Sequence, residues 1–286
     1  GSKPNDFDIP GVQEHSLMFH DLVDIKLLKD LINKLKNGET KNNQLIIVGA
    51  GASGVELACK ISDLLESKGE IHLVELGSRV LPQGKSFNQA QSERALNARG
   101  IRVHLETQVV AITARSVELK SLDDVNTPIS LLPHSGLIWT TGSRAVFPAI
   151  IPDPPLINGK ISIDSNLSVI GFENFLAIGD VACNKEFPCP SNAQVAIQQG
   201  VVAAANLSDS SGSKMLKAFE FEDFGEMLSL GIGNATITAL GLTIAGPIAF
   251  QIRRLSYLTK MPNFSLRMRS AGSWIMNSTK KCKSMK

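Results

Sequence analysis

Thiols are scarce. The 286 residues contain four cysteines, Cys59, Cys183, Cys189 and Cys282, and no two of them stand as C-x-x-C. That spacing excludes a dithiol redox motif and a zinc ribbon, and so few thiols suit a reducing compartment. The five histidines, His15, His20, His72, His104 and His134, are scattered without metal-ligand spacing. Residues 1–15 have neither the charged start nor the apolar core of a secretory signal. Acid is missing from the end of the chain: no Asp or Glu follows Glu226, whereas the last 60 residues hold nine Lys or Arg. A formal charge of +2 therefore conceals a basic tail on an acidic body. Such a tail suits an anionic partner, a membrane surface or a nucleic acid. Nucleic acid is disfavoured, because the tail offers only Phe250, Tyr257, Phe264 and Trp274 for stacking and matches no recognition module. At 43% hydrophobic and 20% charged, the chain is globular and long enough for one or two domains.

What is present alternates between strand-like and helix-like periods. Residues 1–14, with Pro4, Pro10 and Gly11, read as a connector. Residues 17–36 carry apolar positions at Leu22, Ile25, Leu28, Leu31, Ile32 and Leu35, the spacing of one buried helix face, and Asn37-Gly38 ends it. The runs 45–48, 71–75 and 101–105 read as buried parallel strands, with helices over about 52–65 and 88–99 between them. Short alternating segments over 106–135 predict an inserted antiparallel meander. Residues 136–142 form a further buried strand ending in glycine, and Pro148, Pro152, Pro154 and Pro155 mark a boundary. Strands are expected over 161–169 and 174–182, a helix over 192–207 and a flexible joint over 208–214. Met227–Gln251 is uncharged for 25 residues. Its glycines favour two short strands and a helix from about Leu242 over a membrane-spanning helix.

The chemistry concentrates at Gly49-x-Gly51-x-x-Gly54. The motif follows a buried strand, opens a helix and has an acid, Glu75, 21 residues beyond its last glycine. That context is a dinucleotide fingerprint. Gly49 permits the tight turn, Gly51 lets backbone N–H groups approach a pyrophosphate, and Gly54 allows the helix to sit on the strand. Ala52 and Ser53 stand at the helix N-terminus, where phosphates bind. Glu75 accepts hydrogen bonds from ribose hydroxyls and repels a 2′-phosphate, favouring NADH. Arg79 pulls the other way. Glu56 is expected in the first turn of the helix, either facing a nicotinamide or serving as a carboxylate stabilised by the helix dipole. Asp180, after Gly179, stands at a strand end, either holding a ribityl or ribose hydroxyl or making a turn. Gln194, Gln198 and Gln199 lie on the helix that follows.

Four segments in order, GAGASGVELA (49–58), LIWTTGSRAV (137–146), FLAIGDVA (175–182) and PSNAQVAIQQG (190–200), resemble the flavoproteins with two dinucleotide-binding domains. More narrowly the chain resembles the type II NAD(P)H:quinone dehydrogenases, and its tail (228–258) is most similar to their demethylphylloquinone reductase branch of cyanobacteria and plastids. The resemblance implies an α/β fold in which a Rossmann-like NAD(P)H domain is inserted in an FAD domain, with a C-terminal amphipathic membrane-docking segment. The corresponding divisions are 1–16 for the end of one FAD half and the crossover, 17–144 for the NAD(P)H domain, 145–225 for the returning FAD half and 226–286 for the tail. It implies FAD and NAD(P)H as cofactors, with Thr141, Gly142, Gly179, Asp180, Ala193 and Gln194 near them and Glu56 near the nicotinamide. Hydride passes from NAD(P)H to flavin and electrons pass to a quinone, so no catalytic side-chain nucleophile is implied.

The family carries two glycine motifs and this chain carries one. Its opening, GSKPNDFDIPGVQEH, matches the family's crossover, so Gly1-Ser2 reads as a strand end and the FAD domain as incomplete. The alternatives are an NAD(P)H-binding fragment without catalysis and a soluble flavoprotein reductase of the same fold. Residues 242–286, where Arg253, Arg254, Lys260, Arg267 and Arg269 alternate with apolar residues, are expected to reach lipid headgroups as a peripheral anchor. The expected location is a plastid or cyanobacterial membrane, thylakoid or plastoglobule, with the mitochondrial inner membrane as the alternative. A homodimer is compatible with this reading.

Overall fold

The computed structural model describes residues 1–123, 127–208 and 216–283, with side chains described as far as Trp274. The joint expected over 208–214 falls largely outside the described residues, as do the side chains of Lys280, Lys281, Lys283 and Lys286.

Strand β1 (Ser2–Pro4) and a helical turn, α1 (Val12–His15), precede the 16-residue helix α2 (Leu22–Asn37). Helix α2 starts five residues later than its apolar spacing predicts. Asp21 caps it in a reciprocal box with Asp24, and Gly38, at φ 69, ends it. Leu17 is instead drawn to the sheet: its N–H donates to Leu137 O and its carbonyl accepts from Trp139 N–H.

The parallel unit follows as β2 (Gln44–Val48), α3 (Ala52–Leu65), β3 (Glu70–Val74), α4 (Ser86–Asn97) and β4 (Arg102–His104). An antiparallel meander of β5 (Thr107–Ile112), β6 (Ser116–Ser121) and β7 (Ser130–Pro133) leads to β8 (Gly136–Trp139). The parallel sheet has the order β4-β3-β2-β8. Being buried on both faces, β2 is apolar without alternation. Leu45 and Ile47 pack toward α2 and α3, whereas Ile46 and Val48 pack with Val109, Val117 and Trp139 under the meander. Each such fully buried side chain contributes roughly 2 kcal/mol.

Strand β9 (Ser143–Ala145) pairs antiparallel with β1 and carries the chain across to a second unit. That unit comprises β10 (Leu156–Ile157), β11 (Lys160–Ile163), a 3-10 turn at Gly179–Val181, β12 (Ala182–Asn184) and the helix α5 (Ala193–Ser208). Its core holds Ile161, Ile163, Leu167, Val169, Ala177 and Ala203. The strand expected over 174–182 forms only at its end. Residues 174–178 join no ladder and have one isolated bridge, Ser168–Leu176, although Ala177 packs into the core, and Gly179-Asp180 sits in the 3-10 turn.

The uncharged run resolves into β13 (Glu226–Ser229), β14 (Ala235–Ala239) and β15 (Leu242–Gly246), followed by α6 (Pro247–Thr259) and α7 (Phe264–Lys283). Leu242 therefore opens a third strand, not a helix. Gly246, at φ 91, and Pro247 set the helix start. Among the described residues no helix is long and apolar enough to cross a membrane. Among the described residues the core of this C-terminal unit is Ala235, Ile237 and Ala249, with Met227, Ala239, Ile244 and Phe250 partly buried against them, while Leu228 and Leu230 join the core of the parallel unit. Polar contacts complete the attachment. Asn88, fully buried on α4, donates to Glu226 at 2.7 Å and accepts from the hydroxyls of Thr236 and Thr238. Asp63 on α3 binds Arg99 at 2.7 Å and the Ile232 N–H, and Arg99 also donates to Leu230 O. Burial raises the Asp63 carboxyl, but Arg99 and the Ile232 N–H outweigh it and hold the group below its usual range.

Two histidines break the apolar pattern. His72 on β3 and His104 on β4 stack with ring centroids 5.2 Å apart, and Nδ1 of one meets Nε2 of the other at 2.9 Å. Burial lowers both pKa values, as does charge from His104 and Arg102 on His72, and from Arg102 on His104. Burial likewise lowers that of His134. All three bind protons less readily folded than unfolded. Their contribution is complete above the unfolded value, about 6.5, and is lost as pH falls through the lower folded values. Thermal melts should show the midpoint dropping between pH 7.5 and 5.5. A His72→Leu, His104→Leu double variant should flatten that slope, and an unchanged slope would exonerate the pair.

Candidate functional site

The turn between β2 and α3 has almost no spare room. Gly49 adopts φ 99, and a Cβ there would meet the Thr141 side chain at 3.0 Å. A Cβ on Gly54 would lie 1.8 Å from Gly49 O. The Thr140 hydroxyl locks the turn from β8 by donating to Val48 O at 2.8 Å and contacting Gly49 O at 3.1 Å. Gly51 is different: a Cβ there would meet nothing within 4 Å. It is the N-cap of α3 without a side-chain cap, and Gly51, Ala52 and Ser53 are exposed. The first N–H groups of a 14-residue helix thus face open space, the setting in which a phosphate binds.

Beside them is a shallow groove of about 120 Å³ formed by Pro4, Met18, Phe19, Ser53 and the stretch Trp139–Gly142. It brings Ser53, Thr141 and Gly142 together as their motifs predict. Sequence reading missed Met18, Phe19 and Trp139. Trp139 is fixed by donating Nε1–H to Asn5 O at 2.9 Å, and Gly142, at φ 70, lies against the Phe7 ring. Just after β3, Glu75 accepts from the Ala50 N–H at 2.6 Å and the Gly77 N–H at 2.9 Å. Its carboxylate is thereby held against the glycine turn, and each oxygen retains a lone pair for a ribose hydroxyl. Arg79 is exposed.

Glu56 lies in the second turn of α3, not the first, and its carboxylate points to the C-terminal unit. It accepts from the Ser229 N–H at 2.7 Å and pairs with Arg253 on α6 at 3.1 Å. Arg253 also lies 4.9 Å from the Tyr257 ring centroid. Arg254 is equally occupied, 4.3 Å from the Trp274 ring and 5.6 Å from that of Phe250. These two arginines hold the tail together and are not the headgroup contacts that the sequence led us to expect.

In the second unit the Asp180 carboxylate accepts from the Ser2 hydroxyl at 2.8 Å, tying the 3-10 turn to β1. Gly179, at φ 71, packs on Ala196, and its N–H donates to Gln199 Oε1 at 2.6 Å. Ala193 is exposed at the start of α5. Gln194, expected at a ring or quinone entrance, is instead a clamp. Its Nε2 donates to Gly225 O at 2.7 Å and its Oε1 accepts from the Phe224 N–H. Gln198 does the same to Glu222, and Asn206 to Lys217. Three amides on one helix thus pair with the backbone of an antiparallel strap, 217–225, as a neighbouring strand would. Spacing four apart hints at a shared face for Gln194 and Gln198, but nothing in it reveals a backbone partner.

The residues fit a dinucleotide well at the glycine turn: an uncapped helix start, an open Gly51 and a clamped acid meet in one place. For a flavin the fit covers one end. Exposed backbone and short side chains at Gly179–Val181 and Ala193 leave room for a ring and ribityl chain. No second glycine cradle for a diphosphate occurs among the described residues. Cys59 is fully buried, and burial pushes its thiol up to about 11.

Comparisons with known proteins agree with this geometry. Residues 1–200 match the family model for pyridine nucleotide-disulphide oxidoreductases. The chain is 32% identical to demethylphylloquinone reductase NdbB of Synechocystis sp. over 94% of its own length and 69% of that protein's. It is 26% identical to the alternative NAD(P)H-ubiquinone oxidoreductase C1, chloroplastic/mitochondrial, of Arabidopsis thaliana, of which it spans 56%. Among solved structures, NDH2 from Plasmodium falciparum in complex with NADH superposes with a TM-score of 0.84 at 16% identity, over 97% of this chain and 76% of that one. At that identity the likeness is one of fold.

The Glu56–Arg253 contact has a measurable weight. Arg253→Met strands a partly buried carboxylate on the Ser229 N–H alone, and urea unfolding should show a loss of about 2 kcal/mol. Arg254→Met, which removes ring contacts only, should cost roughly 1 kcal/mol. Equal small losses from both would mean that the ion pair contributes nothing.

Proposed function

Because the chain belongs to the pyridine nucleotide-disulphide oxidoreductase family, with type II NAD(P)H:quinone oxidoreductases among its relatives, we propose that it passes reducing equivalents from NADH through FAD to a quinone. The observation that carries this reading is the Glu75 carboxylate clamped beside an uncapped helix N-terminus. The pyrophosphate of NADH lies on the N–H groups at Gly51–Ser53, and Glu75 takes the adenosine ribose hydroxyls. A 2′-phosphate placed there meets a carboxylate, so NADH is preferred over NADPH. Thr141 and Gly142 line the groove toward the nicotinamide end. Gly179, Asp180 and Ala193 offer the surface for the flavin ring and ribityl chain, and the Ser2–Asp180 bond keeps that surface beside the groove. Bound there, FAD would take hydride from the nicotinamide and pass the electrons on to the quinone.

A membrane dissolves such a quinone, and the C-terminal unit has the character of an interfacial anchor. On α6, Ile248, Ile252 and Leu255 recur on one exposed face, and Phe264, Leu266 and Met268 are exposed on α7. Leu240 and Leu242, 88% and 66% exposed, project at the β14–β15 turn. Lys260, Arg267 and Arg269 remain exposed around them for headgroups. The kinship with cyanobacterial and chloroplastic/mitochondrial enzymes supports a photosynthetic or mitochondrial membrane as the location. A second copy of the chain is compatible with this surface.

The test of turnover is a visible spectrum of the chain incubated with FAD and desalted. A retained flavin band should bleach on adding NADH. Glu75→Ala should raise the NADH concentration for half-bleaching about tenfold and change that for NADPH less; equal changes would remove Glu75 from the ribose role. A colourless protein that still binds NADH would favour the alternative of nucleotide binding without turnover, which the single glycine cradle also suits.

Anchoring is tested with the sheet left intact, since a deletion from Leu242 removes β15. Lys260→Glu, Arg267→Glu and Arg269→Glu together should abolish cosedimentation with vesicles rich in anionic lipid. Retained binding would place the anchor elsewhere.

A further inference from the structure

Two phenylalanines take a backbone conformation that bulky side chains avoid. Phe19 sits at φ 45 and Phe7 at φ 52, and Asp8 follows at φ 54. Neither ring has a place in the core. Phe19 is 37% and Phe7 52% exposed, and no apolar cluster among the described residues includes either. Core packing therefore does not account for the strain. Local bonds hold both residues in place. Leu17 is fixed to β8, and beyond Phe19 the N–H groups of His20 and Asp21 both donate to the Asp24 carboxylate, at 2.6 and 2.9 Å. The Phe7 N–H donates to Asn5 Oδ1 at 3.1 Å.

Both rings border the groove beside the glycine turn. Phe19 lines it with Ser53 and Thr141, and Phe7 lies against Gly142, which lines it too. The groove measures about 120 Å³, below the roughly 300–1,000 Å³ of a whole small-molecule site, so it takes one end of a dinucleotide. With the pyrophosphate on the start of α3 and the adenosine ribose on Glu75, that end is the nicotinamide. The hydroxyls of Ser53 and Thr141 make no hydrogen bond among the described residues. Each can both donate and accept, which is what a carboxamide needs.

We propose that Phe19 is the stacking partner of the nicotinamide ring, with the carboxamide on the Thr141 hydroxyl and Phe7 backing the groove behind Gly142. The proposal rests on the nucleotide reading above and adds which groups hold the reactive end of the cofactor. The left-handed turn at Phe19 gives the strain a use. It turns the ring away from the core and fixes it at the groove before any ligand arrives, so stacking costs little further ordering.

Calorimetric titration of the full chain with NADH and with ADP-ribose tests it. ADP-ribose keeps the adenosine and the pyrophosphate and lacks the nicotinamide, so the pair of ligands separates the two ends. The unaltered chain should bind NADH about tenfold more tightly than ADP-ribose. Phe19→Ala should bring NADH to within about twofold of ADP-ribose. Phe19→Tyr keeps a ring and should restore the preference. Thr141→Val should weaken NADH about fivefold. All three variants should hold ADP-ribose within about twofold of the unaltered chain, which reports an intact fold. A preference for NADH that survives Phe19→Ala overturns the proposal. So does tighter NADH binding by that variant, which would make the ring an obstruction, or an equal loss of both ligands, which would make its role structural. Equal binding of NADH and ADP-ribose by the unaltered chain leaves the nucleotide reading standing and overturns the stacking alone. Binding of neither ligand overturns the nucleotide reading, and the stacking with it.

Discussion

Everything else in the molecule is placed by one close approach, the first turn of α3 against the carbonyl of Gly49. No side chain fits between them: a single carbon on Gly54 would come within 1.8 Å of that oxygen. The approach aims the helix start at open space and sets the rotation of the whole helix. Rotation then decides what each side of α3 does. Val55, Ala58, Cys59 and Ile61 go to the core, Ser53 goes to the groove, and Glu56 and Asp63, seven apart, go to the same outer side. Those two acids receive the C-terminal unit, one through Ser229 and Arg253, the other through Ile232 and Arg99. The candidate nucleotide site and the tail mount thus share one helix.

The tail unit needs such a mount. Among the described residues its own core is small for three strands and two helices, three buried side chains with Met227, Ala239, Ile244 and Phe250 partly buried on them. Much of its attachment is polar, which ordinarily carries a desolvation cost. Here the cost is offset because nearly every group is saturated. Asn88 uses both ends of its amide, Asp63 both oxygens, and Arg99 reaches a carboxylate and two carbonyls. Polar seams of this kind specify orientation more strictly than apolar contact, since a shift of one residue breaks several bonds at once.

Local rules made the parallel unit legible. Apolar runs of four or five residues, a glycine turn and a returning meander are each written in neighbouring residues, and β2, β3, β8 and β5–β7 lie where those runs place them. What escaped depends on partners remote in sequence. Leu17 opens the segment read as helix yet is captured by Leu137 and Trp139. Residues 174–178 have strand composition, but a strand needs a neighbour, and beside them there is one bridge. Leu242 reads equally well as helix or strand and is settled by pairing with Ala239. At the candidate site, Gly49, Gly51, Gly54 and Glu75 carry their geometry in their spacing. Glu56, Gln194 and Arg253 do not: Glu56 meets Ser229 and Arg253, 173 and 197 positions away, and Gln194 meets Gly225, 31 positions away, distances over which no periodicity speaks.

The distribution of charge follows from the same partition. Counted along the sequence, the tail is a uniform run of cations, but its members differ in what they can do. Arg253 is paired with Glu56, whereas Arg254 keeps its charge but lies against the rings of Phe250 and Trp274. The exposed cations with described side chains, Lys260, Arg267 and Arg269, cluster at the junction of α6 and α7, next to the exposed apolar residues of both helices. In the anchoring reading proposed above, these exposed cations beside scattered large side chains correspond to shallow interfacial attachment that responds to salt, with the side chains too dispersed for deep insertion.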